Sequence, residues 1–258
     1  MFGIRDFGRT RSYRRVCSFW TIALIWLAGS LPVSAQTTQN VNVTGSPAPG
    51  HDWELYRQEN EVSCGVNPNN ELIMLCAFNW YGYADLPNKL GDAWIAMSTT
   101  RDGENFTHEP LTGTVGKEYL GFGFAADPTV MTFPGGAIIT SIVGDRDGNS
   151  KMVAQRLVEM NRETGSPYAQ EFRQQEVAFI QGVNFIDKPD AKIIIKPGGG
   201  FREVIITTNE IDDDPDSETF GQLRQETRQW PEFTVCVAYA VFGGSNQNIR
   251  TFATCSDD

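Results

Sequence analysis

The side chains in this chain with chemical potential are carboxylates and flat rings, not a nucleophile paired with a base. Trp80, Tyr81 and Tyr83 stand in the run Trp80-Tyr81-Gly82-Tyr83, directly after an apolar segment. That places the rings on a loop at one rim, where they can stack on sugar faces or pack as a rim cluster. Asp145-Arg146-Asp147-Gly148-Asn149 alternates oxygen donors as a calcium loop does at its start. Ser150 stands where such a loop needs Gly and Arg156 where it needs Glu, so a hairpin tip is expected. The acidic run 212–218 can gather Ca²⁺ loosely, and a solvated loop is the expectation there. No cofactor and no metal site are expected, calcium being the one ion these oxygens leave open. His51 and His108 are isolated, and there is no Ser-His-Asp set, phosphate-binding glycine loop or metal-spaced Cys/His cluster. Asn42-Val43-Thr44 and Asn105-Phe106-Thr107 fit glycosylation sequons.

The elements that must position these groups repeat. An opening phrase reads Glu61-Val62-Ser63-Cys64, then Ala126-Asp127-Pro128-Thr129-Val130, then Asp187-Lys188-Pro189-Asp190-Ala191, at steps of 65 and 60 residues. Each is followed by an apolar strand (72–78, 137–143, 235–242) and then by a third strand (93–98, 152–158, 249–255). A period of this size built from short strands marks a radial or stacked β architecture, in which one unit cannot bury its own face. Segments 93–98 and 235–241 are apolar or small on both faces, as suits strands packed between neighbouring sheets. Residues 197–232 form an insertion within the third unit, with a strand at 203–208 and the only expected helix at 219–229. The units span about 61–120, 124–182 and 185–258, and the third stops in mid-phrase.

The amino terminus reads as an export signal. Arg5, Arg9, Arg11, Arg14 and Arg15 form a basic head, 19–31 is apolar, and Val33-Ser34-Ala35 supplies small residues for cleavage after Ala35. The 13 apolar residues cover only ~20 Å of a ~30 Å hydrocarbon core, too short to span it. Residues 1–35 are therefore the signal, 36–53 an extended leader rich in Thr, Asn, Gly and Pro, and 54–258 the β region, in a secreted, periplasmic or extracellular product. The signal holds five Arg and one Asp, so 16 basic and 31 acidic residues remain, a net charge of −15. A polyanion of that size disfavours nucleic acid and anionic membrane surfaces as partners, and no membrane span remains after cleavage. Carbohydrate or a surface protein is the expected partner class. Four cysteines remain once Cys17 is removed, and Cys236 and Cys255 flank the hairpin tip 243–248 evenly. Cys64 and Cys76 flank the turn at 67–70 in the same manner, so two local disulfides are expected.

Thr100-Arg101-Asp102-Gly103-Glu104-Asn105-Phe106 resembles the Asp box of sialidase-like β-propellers, the family of bacterial neuraminidase repeats. In that hairpin the Asp accepts backbone N–H groups of the turn, Gly takes a positive φ and the aromatic closes the loop. The phrase here is one residue short before Phe106 and lacks a second Gly. Ser256 and Asp258 have the same offset after another third strand, and the Asn-Pro, Ala-Asp-Pro and Asp-Lys-Pro opening phrases are similar to the same family. The resemblance covers roughly 61–258 and implies an all-β fold, a partial, open, about three-bladed portion of a six-bladed-type sialidase-like propeller. It also implies where a sialidase site would lie. Tyr56-Arg57-Gln58-Glu59 is the nearest counterpart of the first arginine phrase, without its Ile-Pro, and Asp92 stands near the place of the general acid, though a Gly-Asp turn explains it as well. The family's Tyr nucleophile and its Glu belong to later blades. The expectation is a secreted module that binds a glycan or protein without catalysis. The alternatives are the amino-terminal part of an exo-sialidase whose catalytic blades are missing, or an architectural cell-surface domain.

Overall fold

The computed structural model describes residues 59–80, 93–111, 124–144, 149–172, 174–180, 185–243 and 249–257, all within one compact unit, Val41–Asp258. Short runs of β-branched and apolar residues, cut by Asn-Pro, Pro-Gly and Gly-rich turns, become antiparallel strands. The first sheet is a meander of β1 (Glu59–Asn67), β2 (Asn70–Trp80), β3 (Trp94–Thr100) and β4 (Phe106–Pro110). The second comprises β5 (Phe124–Phe133), β6 (Gly136–Gly144), β7 (Ser150–Glu159) and β8 (Tyr168–Gln170), with β9 (Gln175–Ile180) also paired to β7. The third consists of β10 (Phe185–Ile195), β13 (Phe233–Phe242) and β14 (Ile249–Ser256). A separate hairpin, β11 (Phe201–Ile211) with β12 (Leu223–Pro231), stands between β10 and β13 in the chain. The described residues are all-β with no helix, and none of the sheets closes on itself. No helix among them is long and apolar enough to cross a membrane.

The helix expected at 219–229 is corrected: β12 runs through it as a strand. Leu223 to Gln229 are mostly good helix formers, yet exposure from Arg224 to Trp230 alternates with period two. The neighbouring β11 carries Val204-Ile205-Ile206-Thr207-Thr208, a strand-forming run whose backbone groups need a partner. Pairing outweighs local propensity. The strand expected at 203–208 extends over Phe201–Ile211.

The second sheet is the middle layer. Every residue of β6 is buried. One face packs Ile139 and Val143 against Leu75, Ala77, Ile95 and Met97 of the first sheet. The other packs Ile142 against Val237, and Ile138 against Trp230 and Phe233, on the side of the third sheet. β3 is buried throughout, whereas β13 is only partly so and β14 is exposed along its length. The expectation that 235–241 packs on both faces is therefore corrected: among the described residues one face of the third sheet lies open. Disulfides join Cys64 to Cys76 and Cys236 to Cys255, each pair directly opposite in register across neighbouring strands.

Candidate functional site

Each opening phrase forms a β-bulge in the first strand of its sheet. Asn60 to Ser63 spans what Asn79 to Ala77 spans on β2, so one residue is extra. Ala126 to Thr129 stands likewise against Ile142 to Thr140, and Asp187 to Asp190 against Ala240 to Ala238. The same irregularity thus occurs at the same place in three sheets. A bulge bends its strand and re-aims side chains. Glu61 and Asp127 hold equivalent positions in the first two bulges, with φ of 53° and 52°. That left-handed backbone costs a non-glycine residue on the order of 1–3 kcal/mol and persists only where surroundings impose it.

The surroundings are visible at Asp127. Buried Asn79 of β2 accepts a hydrogen bond from the Asp127 N–H at 2.7 Å and directs its side-chain N–H at the Asp127 carboxylate at 3.4 Å. The residue after each of the first two bulges fastens its sheet to the next. Val130 N–H donates to Ser63 Oγ at 2.9 Å, and Thr129 Oγ1 donates to the Pro189 carbonyl at 2.8 Å. Further along, Thr132 Oγ1 donates to the Val66 carbonyl at 2.7 Å. Gly65 permits this approach, since a Cβ there would lie 2.6 Å from Thr132 Cγ2. The three bulges consequently meet around an open cleft of about 330 Å³, lined by Glu61, Ser63, Asp127, Thr129, Pro189 and Asp190 among others. Its chemistry is three carboxylates from three sheets on rigid strands, suited to accepting hydrogen bonds from a hydroxyl-rich ligand. Among the described residues no group of three or more His, Cys, Asp or Glu is arranged to hold a metal ion.

The turn at Thr100–Phe106 has a different role. Asp102 accepts the N–H groups of Glu104 and Asn105 at 2.9 and 2.7 Å, together with the Asn105 side-chain N–H and the Thr100 hydroxyl. These bonds, the Asn105 N–H first, hold the Asp102 carboxyl well below the usual carboxylate range. Gly103 takes a φ of 76°. Arg101 beside it points at the carbonyls of Gly165 and Ser166 at 3.3 Å and Met160 at 3.5 Å, so the turn clasps the first sheet to the β7–β8 turn of the second. Thr99 Oγ1 to Ser166 Oγ at 3.0 Å and Gln170 Nε2 to the Pro110 carbonyl at 3.0 Å extend the clasp. Within it, burial pushes the Glu109 carboxyl up, with hydrogen bonds from Ser166 and Gln170 acting against that.

The other singled-out residues divide plainly. Trp80 ends β2, half-buried and opposite Trp94, while Tyr81, Tyr83, Asp92, Asp258, Tyr56 and Arg57 lie outside the described residues, as do 1–35 and 36–53. Ser256 ends β14 and is exposed; its neighbour Asp257 accepts from Thr234 Oγ1 at 2.5 Å, which with Lys196 lowers its pKa. The run 212–218 is a solvated turn, as expected, with Asp213, Asp214, Pro215, Asp216 and Glu218 exposed around one buried carboxylate. Asp212 is buried and accepts from Ser217 Oγ at 2.6 Å and Thr219 Oγ1 at 2.5 Å. Of the calcium-like phrase, 145–148 lie outside the described residues, and Arg156 is a β7 residue paired with Glu171. Sequence reasoning missed Asn79. The signal was a single amide in the apolar run Leu72–Phe78 and its continuation, and its partner lies 48 residues away. Protein-family models, curated proteins and solved structures were all compared with the chain, and none matches.

Proposed function

We propose that this chain is a secreted module of the sialidase-like propeller type that binds a glycan, or a protein through its glycan, in the cleft between the three bulges, and that by itself it catalyses nothing. The observation that carries the reading is the bulge repeated at one place in three sheets, which brings Glu61, Asp127 and Asp190 to a single cleft. Asp127 is held by Asn79 before any ligand arrives, and such preorganisation reduces the ordering cost of binding. Non-catalysis rests on the sequence, where the nearest counterpart of the arginine phrase, Tyr56-Arg57-Gln58-Glu59, lacks its Ile-Pro. The test is a glycan array probed with the purified chain, followed by calorimetry of the hits with wild type and Asp127→Asn. Asn tolerates the left-handed backbone but lacks the charge. Binding weakened about tenfold is expected, since hydrogen bonds to charged groups contribute about 1.5–3 kcal/mol. Absence of glycan binding, or equal affinity in the variant, refutes the reading, and turnover of a fluorogenic sialoside supports the hydrolase instead.

A further inference from the structure

We propose that β14 is a docking edge for a second copy of this chain, the two β14 strands pairing antiparallel about a twofold axis through Phe252. In the first sheet β4 covers the outer edge of β3, and in the second β8 and β9 cover that of β7. Among the described residues β14, the third strand of the third sheet, has no such neighbour, and all eight of its residues are exposed. The devices that blunt a free edge are missing from it. Its pairing with β13 runs from Ile249 to Ser256 without a bulge, it holds no proline, and Arg250 is its one charged residue.

The register follows from which backbone groups face outward. Lys196 N–H donates to the Glu232 carbonyl at 2.9 Å, so these two residues form a hydrogen-bonded pair. Hydrogen-bonded pairs recur every second residue, which turns the backbone groups of Cys236 toward β10. With Cys255 it therefore forms a non-hydrogen-bonded pair, in keeping with their Cα separation of 4.1 Å. The N–H and C=O groups of Ile249, Thr251, Ala253 and Cys255 thus point away from β13, to the free edge. An antiparallel copy centred on Phe252 sets Ile249 opposite Cys255 and Thr251 opposite Ala253. In no other twofold register does each of these four meet another of the four. Phe252 then faces its own image in a non-hydrogen-bonded pair, where side chains lie closest. It is 40% exposed and already stacks on Tyr239 at 5.6 Å, so the join forms a ladder of four rings. Arg250 lies opposite Thr254, so like charges do not meet even though the chain is acidic overall. This self-complementarity singles out a second copy over an unrelated strand. β10, with its bulge, is the other edge of the third sheet, so the pairing does not use the cleft.

The experiment is sedimentation equilibrium of the purified, disulfide-intact chain. A monomer–dimer equilibrium is expected, with dimer prominent at about 100 μM chain, as befits a small interface. Ala253→Pro removes an N–H that faces outward and spares the bonds to β13, and should weaken association about tenfold or more. Near-UV circular dichroism reports whether the variant keeps its packing. The register is tested separately by incubating Phe252→Cys and Thr254→Cys with oxidised glutathione. Phe252→Cys should give a disulfide-linked dimer, because position 252 faces itself, and Thr254→Cys should not, and this pair decides the matter should the proline variant misfold. A chain that stays monomeric throughout overturns the proposal and leaves the edge to a strand of some other protein. Unchanged association in a folded Ala253→Pro, or cross-linking at 254 as readily as at 252, overturns it as well.

Discussion

The two interfaces on either side of β6 are built from the same repeat yet are filled differently. Between the first and second sheets the core is one continuous cluster from Ile73 and Leu75 to Leu157 and Tyr168. Between the second and third it is split, with Ile138 in one cluster and Ile142 in another. The residue between them on that face is Thr140, whose register counterpart in the first sheet is Ala77, a member of the continuous cluster. One hydroxyl at the centre of a strand interrupts a core that a methyl group completes. The β11–β12 hairpin then compensates at one end, delivering Trp230 against Phe133 and Gly135. The repeat therefore dictates backbone geometry, while individual side chains decide whether an interface is solid or hollow.

The largest effect should come from the compensating ring. Trp230→Ala is expected to cost about 3–5 kcal/mol, read as a drop in the urea midpoint. A cost below about 1 kcal/mol would mean that the third sheet does not depend on the hairpin, and the contrast between the interfaces would collapse. Next come the disulfides. Replacing Cys236 and Cys255 together by Ala removes a loop of 19 residues, and replacing Cys64 and Cys76 one of 12, each at about 3 kcal/mol by chain entropy. Hydrogen exchange sharpens the comparison. Loss of the 236–255 bond should accelerate exchange mainly in β13 and β14, where one face is open, whereas loss of 64–76 should spread into the second sheet.

The smallest effect lies in the clasp at the outer edge of the first interface. Burial raises the Glu109 pKa, so its contribution to stability is present below the unfolded value near pH 4.5 and is lost as pH rises through the folded value. Glu109→Gln should therefore stabilise the chain at pH 7 by about 1 kcal/mol, with no gain at pH 4. Asp102 acts in the opposite sense. Its pKa is depressed, so its stabilisation is present above about pH 4 and fades as pH falls. Thermal melts from pH 3.5 to 7.5 separate the two.

What was legible in the sequence is what alternation and turn chemistry encode. The strands of the three sheets follow from apolar runs and from Asn-Pro, Pro-Gly and Gly-Gly punctuation, and both disulfides join strands that these turns already set side by side. The segment 223–231 was not legible, because its residues favour a helix by themselves and only β11 makes them a strand. The bulges were visible as repeated phrases but not as bulges, since the extra residue appears only when the opposite strand is counted. Asn79 and Arg101 act on residues 48 and 59–65 positions away, distances at which a single sequence carries no pairing information.

The three bulges share one register irregularity but not one composition: Glu61-Val62, Asp127-Pro128 and Lys188-Pro189 occupy equivalent places. The irregularity therefore occurs with an acid or a base at the first of its two positions, and with a proline or a β-branched residue at the second. Because the extra residue locks each strand against sliding, these sites can be rewritten without a register error spreading through the sheet. Residues 61 and 127 share a left-handed backbone at the rim of this cleft, so replacements there must suit that conformation, Asn and Gly before any β-branched residue, if the register is to hold.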